Sequence, residues 1–145
     1  GTTGHYEAIV ITYDPKKVTY AELIDVFWRQ IDPTDAGGSF VDRGQQYGSV
    51  IFYSNEEEKK IAEGSKKRLV ESGIFKAPIV TEIKKLEAFY KAEDYHQDYF
   101  ELNPNNRYCQ VVIRPKLKKV LEKLATLQDS THLKLILPLR NWLKF

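Results

Sequence analysis

Residues 20–31 carry an uninterrupted apolar stripe, and any fold of this chain has to bury it. With Tyr20 as i, the apolar side chains also fall at i+3, i+4, i+7, i+8 and i+11, which is one face of an α-helix. Thr19 and Glu22 have the spacing of a capping box, and Asp32-Pro33 ends the pattern. The sequence therefore predicts a helix whose stripe is core and not a ligand site: Tyr20, Leu23, Ile24, Phe27, Trp28 and Ile31.

The length and composition of the chain indicate one soluble globular domain. Its 145 residues suffice for one core, and 42% hydrophobic with 29% charged residues is not a disordered composition. The net charge of +2 is too small to indicate nucleic-acid binding. Because the chain has no apolar run of about 18 residues and no signal peptide, we expect a cytoplasmic protein without stable membrane insertion.

Three further segments are predicted to be strands, and one looks extended. Residues 5–13 alternate between two faces, residues 49–53 read as a short buried strand, and residues 78–83 as a third. Residues 108–113 look extended.

Three further helices are predicted. Ser54 and Glu57 have capping-box spacing at the start of a second long helix, which Gly73 ends. Residues 93–98 indicate a short helical turn among aromatic side chains. A lysine-rich helix is predicted from the apolar positions Leu117, Val120, Leu121 and Leu124.

Two polar segments are candidates for chemistry. The loop at residues 37–47 has three glycines, whose backbone freedom lets Asp42 and Tyr47 point at one spot; the alternative is a surface crossover facing water. Residues 4–7 lie at the start of a predicted strand, where Glu7 ends a largely apolar face. Partial burial would keep the Glu7 carboxyl protonated closer to neutral pH, and the alternative is a strand-end glutamate that reaches water.

Cys109 is the one cysteine, which excludes an intrachain disulfide and a cysteine-rich metal site. The chain opens on Gly1 without an initiator methionine, so we expect that its natural start lies elsewhere. From residue 128 the sequence mixes apolar and basic residues irregularly, as in an interfacial or partner-binding tail or a non-native extension. We therefore separate a domain at residues 1–127 from a tail at residues 128–145.

Several blocks of the sequence resemble, in order, the A-type peptide methionine sulfoxide reductases, which reduce the S epimer of methionine sulfoxide. Residues 3–8, Thr-Gly-His-Tyr-Glu-Ala, are similar to that family's T-G-H-x-E-A segment. The resemblance covers roughly residues 1–125 and continues through residues 32–34, 40–47, 78–83 and 93–99, with shorter matches at residues 103–104, 108–110 and 114–116.

The resemblance implies a specific chemistry. In this family a cysteine thiolate attacks the sulfoxide sulfur, methionine leaves, and another thiol resolves the sulfenic acid. By the resemblance, Glu7 is the acid that protonates the sulfoxide oxygen, Tyr47 is a phenol donor to the same oxygen, and Asp42 orders the substrate. It implies no cofactor and no metal, an external thiol reductant (thioredoxin is expected), and a monomer that acts on methionine-sulfoxide-containing proteins or peptides.

The chain departs from the family pattern at the nucleophile. The family's Gly-Cys-Phe-Trp motif lies upstream of its T-G-H-x-E-A block, and nothing in this sequence matches it. Cys109 aligns with a Tyr-Cys position that is the resolving cysteine in some members; the alternative is a small buried residue. We expect a catalytic-domain fragment that is inactive alone. The alternatives are a non-catalytic sulfoxide-binding pseudo-enzyme and an interaction module that works through residues 128–145.

The resemblance also implies the fold class. The family has an α+β fold, a mixed sheet with helices packed on it, related to the ferredoxin-like plait. Because the segment upstream of residue 1 would supply the first strand, we expect a gap in the sheet and low stability.

Overall fold

The computed structural model of the protein describes residues 4–118. By its internal contacts the chain divides into two compact units, Gly1–Phe89 and Tyr90–Phe145. The predicted boundary between residues 127 and 128, the tail that follows it and most of the predicted lysine-rich helix lie outside the described residues. Among residues 4–118, no helix is both long enough and apolar enough to cross a bilayer.

The first helix, α1 (Tyr20–Gln30), forms where the apolar stripe predicts it. The Thr19 hydroxyl accepts a hydrogen bond from the Glu22 N–H (3.2 Å), and the Glu22 carboxylate accepts one from the Thr19 N–H (2.7 Å). The predicted capping box is therefore confirmed. Ile24 and Trp28 are the buried members of the stripe.

Two small sheets follow α1 in the first unit. The strands β1 (Gly38–Ser39) and β2 (Asp42–Arg43) form an antiparallel hairpin. The strands β3 (Val50–Tyr53) and β4 (Glu82–Lys85) pair in parallel, with Ile51 opposite Ile83. The predicted strand at 49–53 is confirmed, whereas the one predicted at 78–83 begins four residues later.

The second helix, α2 (Glu56–Glu71), connects β3 to β4, as a parallel pair requires. Its cap is Asn55, whose side chain accepts from the Glu58 N–H at 2.9 Å, and not Ser54 as predicted. Asparagine and serine are similarly favourable N-cap residues, so the helix keeps a side-chain cap although it begins one residue later. Gly73 follows the helix with a positive φ of 64°, in line with its predicted role as the stop.

The core of the first unit lies between the two helices and the parallel pair. Its buried residues are Ile24 and Trp28 of α1, Ile51 of β3 and Ala62 of α2. The Trp28 indole N–H donates to the hydroxyl of Ser65, which is also buried. A buried N–H needs such an acceptor, so this bond ties α1 to α2.

The strand predicted at residues 5–13 is not formed, because no described strand pairs with this segment. Its apolar side chains are consequently exposed: Ile9 and Val10 by 58% each and Ile11 by 42%. The Glu7 side chain is also exposed, so the burial considered for its carboxyl on a strand face is absent.

The second unit is helical wherever the described residues have regular structure. A 3-10 turn spans Asp94–His96, in line with the predicted short helical turn, and α3 spans Tyr99–Leu102. The extended segment expected at residues 108–113 is wrong, because Cys109–Ile113 form a π-helix that buries Cys109 completely. The β-branched residues of this segment favour a strand, but the packing that buries Cys109 outweighs that preference. The described residues thus form an α+β protein with two separate two-stranded sheets.

Replacing Ser65 with alanine tests the hydrogen bond between the helices. The Trp28 N–H would stay buried without its acceptor, so we expect the free energy of unfolding to fall by about 1–3 kcal/mol. Urea unfolding followed by circular dichroism measures the loss. In a Trp28→Phe background, which lacks the indole N–H, the same Ser65→Ala change should cost much less. Equal losses in the two backgrounds would mean that the bond contributes no stability.

Candidate functional site

The loop at residues 37–47 is folded around the β1–β2 hairpin. Gly38 has a φ of +145°, and a Cβ there would lie 2.2 Å from the carbonyl oxygen of Asp42. Only glycine fits so close an approach, and it allows Ser39 to pair with Asp42. The hairpin thus places Asp42 on a short strand, where its side chain is half-buried.

An ion pair joins Arg43 of the hairpin to Asp35, which lies between α1 and the hairpin in the chain. The Arg43 guanidinium donates to both carboxylate oxygens of Asp35, at 2.6 and 2.9 Å, and the Gly37 N–H donates to the same carboxylate at 2.9 Å. These hydrogen bonds hold the pKa of Asp35 below its usual range, those from Arg43 contributing most. The bidentate geometry fixes direction as well as distance, so the loop has a defined shape.

Tyr47 ends a 3-10 turn, Gln45–Tyr47, directly after the hairpin. Its N–H donates to the Gly44 carbonyl at 3.1 Å, and the Gly44 N–H donates to the Gly37 carbonyl at 3.0 Å. Through Gly44, these two hydrogen bonds connect Tyr47 at the end of the loop to Gly37 at its start. The Tyr47 side chain is half-buried, and a tyrosine in this position can donate from its hydroxyl while its ring packs.

Glu7 lies beside this turn. Its backbone N–H donates to the carbonyl of Gln46, the residue before Tyr47, at 2.8 Å. The two polar segments found in the sequence therefore meet, although about forty residues separate them along the chain. The structure brings Glu7 next to Tyr47 through the backbone, and Asp42 belongs to the same braced loop.

Tyr6, the residue before Glu7, belongs to a cluster that the sequence reasoning missed. The Tyr6 hydroxyl donates to the Glu82 carboxylate at 3.2 Å and accepts from the Lys84 ammonium at 3.0 Å. Lys84 also pairs with Glu82 at 2.6 Å and lies 4.7 Å from the centre of the Tyr6 ring. Phe52 packs edge-on against that ring at 6.0 Å.

The one sequence signal for this cluster was the spacing of its two charges. Glu82 and Lys84 are two residues apart on a strand and so share one face. Their hydrogen bond lowers the pKa of Glu82 and raises that of Lys84. Nothing in the sequence connects the pair to Tyr6, which is more than 70 residues away.

One cavity of the first unit is separate from these residues. It has a volume of about 290 Å³, and none of Glu7, Asp42 and Tyr47 lines it. It lies at the end of α1 beside the hairpin and is lined by Ile31, Asp32, Asp35, Gly38, Ser39, Phe40 and Ser49. Because the candidate side chains lie elsewhere, we do not assign the site to this cavity.

Cys109 belongs to the second unit. Its side chain is fully buried at the first position of the π-helix, and its thiol forms no disulfide. Thiol chemistry needs access as well as a thiolate, so this cysteine is shielded in the structure. Within residues 4–118, no group of three or more His, Cys, Asp and Glu side chains is arranged to hold a metal ion.

Comparisons with known proteins agree on one family. The family described as "Peptide methionine sulfoxide reductase" matches residues 1–129. Peptide methionine sulfoxide reductase MsrA of Bacillus velezensis is 58% identical over 105 residues, which are 72% of this chain and 59% of that protein. MsrA of Listeria monocytogenes is 62% identical over 101 residues, which are 70% of this chain and 57% of that protein.

Two solved structures have a similar fold. Mxr1 from Saccharomyces cerevisiae in reduced form has a TM-score of 0.60 at 35% identity, over 67% of this chain and 52% of that chain. Methionine sulfoxide reductase A of Corynebacterium diphtheriae has a TM-score of 0.52 at 32% identity, over 65% of this chain and 49% of that chain. The chain thus spans less than two thirds of each of these relatives. By its family match and these identities, it belongs to the peptide methionine sulfoxide reductase family.

Proposed function

We propose that this chain supplies the sulfoxide-binding and proton-donating part of an A-type reductase, which converts the S epimer of methionine sulfoxide in proteins to methionine. The observation that supports the proposal is the hydrogen bond from the Glu7 N–H to the carbonyl of Gln46, the residue before Tyr47, which joins the backbones of the two polar segments. Family membership supplies the reaction class.

In the proposed reaction a cysteine thiolate attacks the sulfoxide sulfur, and two electrons pass from the thiol to the substrate. Glu7 and Tyr47 donate hydrogen bonds to the oxygen, on which negative charge grows as the sulfur–oxygen bond breaks. The oxygen takes up protons and leaves as water, and a water molecule then breaks the bond between the two sulfur atoms, so that the products are methionine and a cysteine sulfenic acid. A second thiol then forms a disulfide with that cysteine and releases water. Thioredoxin is the expected reductant of the disulfide, and no prosthetic group is required.

Glu7 can act as the acid only while its carboxyl carries a proton. The carboxyl is exposed in this structure, so the protein alone does not shield it. We propose that the bound peptide covers Glu7 and favours its neutral form by excluding water. Asp42, on the braced hairpin, would orient the peptide backbone.

The attacking thiolate has no match in this chain, whose one cysteine is Cys109. We propose that the nucleophile belongs to a segment that precedes the T-G-H-x-E-A block in the whole protein. That segment would also complete a mixed sheet of the ferredoxin-like kind around the β3–β4 pair. We propose a monomer in the cytoplasm as the functional state.

A second candidate is a sulfoxide-binding protein without turnover. The burial of Cys109 favours it, because a shielded thiol neither attacks nor resolves. Both candidates require the same contacts to the sulfoxide, so binding does not separate them. They differ in whether the gene encodes a nucleophile upstream of residue 1.

We expect the 145-residue chain to show no turnover of a peptide with (S)-methionine sulfoxide when dithiothreitol is the reductant. The reason is that Cys109 is buried and the chain has no other cysteine to attack the sulfoxide. Methionine formation followed by chromatography measures this, with a Cys109→Ser variant as the control. Turnover that disappears in Cys109→Ser would assign the attacking role to Cys109 and overturn our placement of the nucleophile.

Binding of the same peptide tests the proton donors directly. We expect Glu7→Leu and Tyr47→Phe, which each remove a donor, to weaken the preference for the sulfoxide peptide over its sulfide form by about fivefold, the value of one hydrogen bond. Titrations followed by NMR give both affinities. Tyr53→Phe, which changes a phenol on β3, is the matched control. If the wild-type chain binds sulfoxide and sulfide equally, the proposed function is wrong.

The thiol of Cys109 is expected to react slowly with a disulfide reagent such as dithionitrobenzoate. Reaction requires local opening of the π-helix, so we expect a rate about 100-fold below that of the urea-unfolded chain. Release of the coloured thiolate gives the rate. A rate close to that of the unfolded chain would instead support a resolving role for Cys109.

A further inference from the structure

We propose that Tyr6, Glu82 and Lys84 form an anchor that positions Glu7, an inference that rests on the function proposed above. We refer to these three residues as the anchor. They are positioning residues, since they act through Glu7 and not by contact with the substrate. The observation behind the proposal is that both hydrogen-bonding capacities of one phenol are used by two charged groups on β4.

The contacts of the anchor form a closed triangle. The Tyr6 hydroxyl donates to Glu82 Oε1 at 3.2 Å and accepts from Lys84 Nζ at 3.0 Å. Lys84 Nζ also pairs with Glu82 Oε2 at 2.6 Å. Because each hydroxyl has one proton to donate, this arrangement fixes the direction of the Tyr6 O–H as well as the place of its ring.

The anchor is attached to a rigid part of the fold. Glu82 and Lys84 lie on one face of β4, and β4 pairs along its whole length with β3. Phe52 of β3 packs against the Tyr6 ring, with ring centres 6.0 Å apart. Residues 4–8 belong to no helix or strand, so their position depends on contacts of this kind.

Tyr6 directly precedes Glu7, and the two residues are held in different ways. The Tyr6 side chain is held by the anchor, whereas the Glu7 backbone N–H is bonded to the Gln46 carbonyl at 2.8 Å. A shift of the Tyr6 ring would therefore move Glu7 relative to Tyr47. A misplacement of about 1 Å is enough to impair a donor at a reacting atom.

Amide–water exchange measured by NMR on the 145-residue chain tests the anchor. Tyr6→Phe removes only the hydroxyl, and Lys84→Met removes the charge that joins the other two groups. We expect each variant to speed exchange of the Glu7 amide roughly fivefold, as expected for the loss of an exposed charged contact. Lys84→Arg keeps the charge, so the Glu7 amide should stay as protected as in the wild-type chain. Lys85 is an exposed neighbour on β4, and Lys85→Met should leave the exchange of the Glu7 amide unchanged. Unchanged exchange in α2 amides excludes general unfolding.

The affinities of a methionine sulfoxide peptide and of its sulfide form give a second measurement. We expect the preference for sulfoxide to fall in Tyr6→Phe and Lys84→Met and to persist in Lys84→Arg and Lys85→Met. Faster Glu7 exchange with an unchanged preference would mean that the anchor is only structural, which overturns the proposal. Unchanged Glu7 exchange in Tyr6→Phe and Lys84→Met also overturns it. Absence of the preference in the wild-type chain rejects the proposed function instead, while Glu7 exchange still decides whether the anchor holds that residue.

Discussion

The parallel pairing of β3 with β4 is the interaction on which the rest of the first unit depends. Ile51 of β3 belongs to the same buried cluster as Ile24 and Trp28 of α1 and Ala62 of α2, and Ile83 of β4 packs against that cluster. A parallel pair requires a crossover, and α2 provides it. Loss of this pairing would remove Ile51 and Ile83 from the core that the two helices share.

The same pairing determines where the candidate site lies. β3 begins shortly after Tyr47, so the position of the loop is fixed at one end by the sheet and at the other by α1. β4 carries the charges that hold Tyr6, and Tyr6 holds the segment that contains Glu7. The side chains proposed for the chemistry are thus exposed or half-buried, while the strands β3 and β4 that position them contribute Ile51 and Ile83 to the core and its edge.

Features set by neighbours in sequence were predictable, and those set by distant contacts were not. The capping box of Thr19 and Glu22 needs only four consecutive residues, and the helix forms as expected. Alternation at residues 5–13 predicts a strand, yet a strand requires a partner to accept its hydrogen bonds. At residues 108–113 the β-branched side chains favour an extended backbone, but the chain forms a π-helix that buries Cys109. The contacts of Tyr6 join segments that no local pattern connects.

The exposed segment around Ile9, Val10 and Ile11 has a consequence for the behaviour of the protein in solution. An exposed apolar segment that pairs with no strand among residues 4–118 is a template for β-association between molecules. Folded proteins avoid such templates by covering them or by adding charges, and this segment carries no charged residue between Ala8 and Tyr13. Self-association through this stretch should thus compete with the monomeric state as the concentration of the 145-residue chain rises.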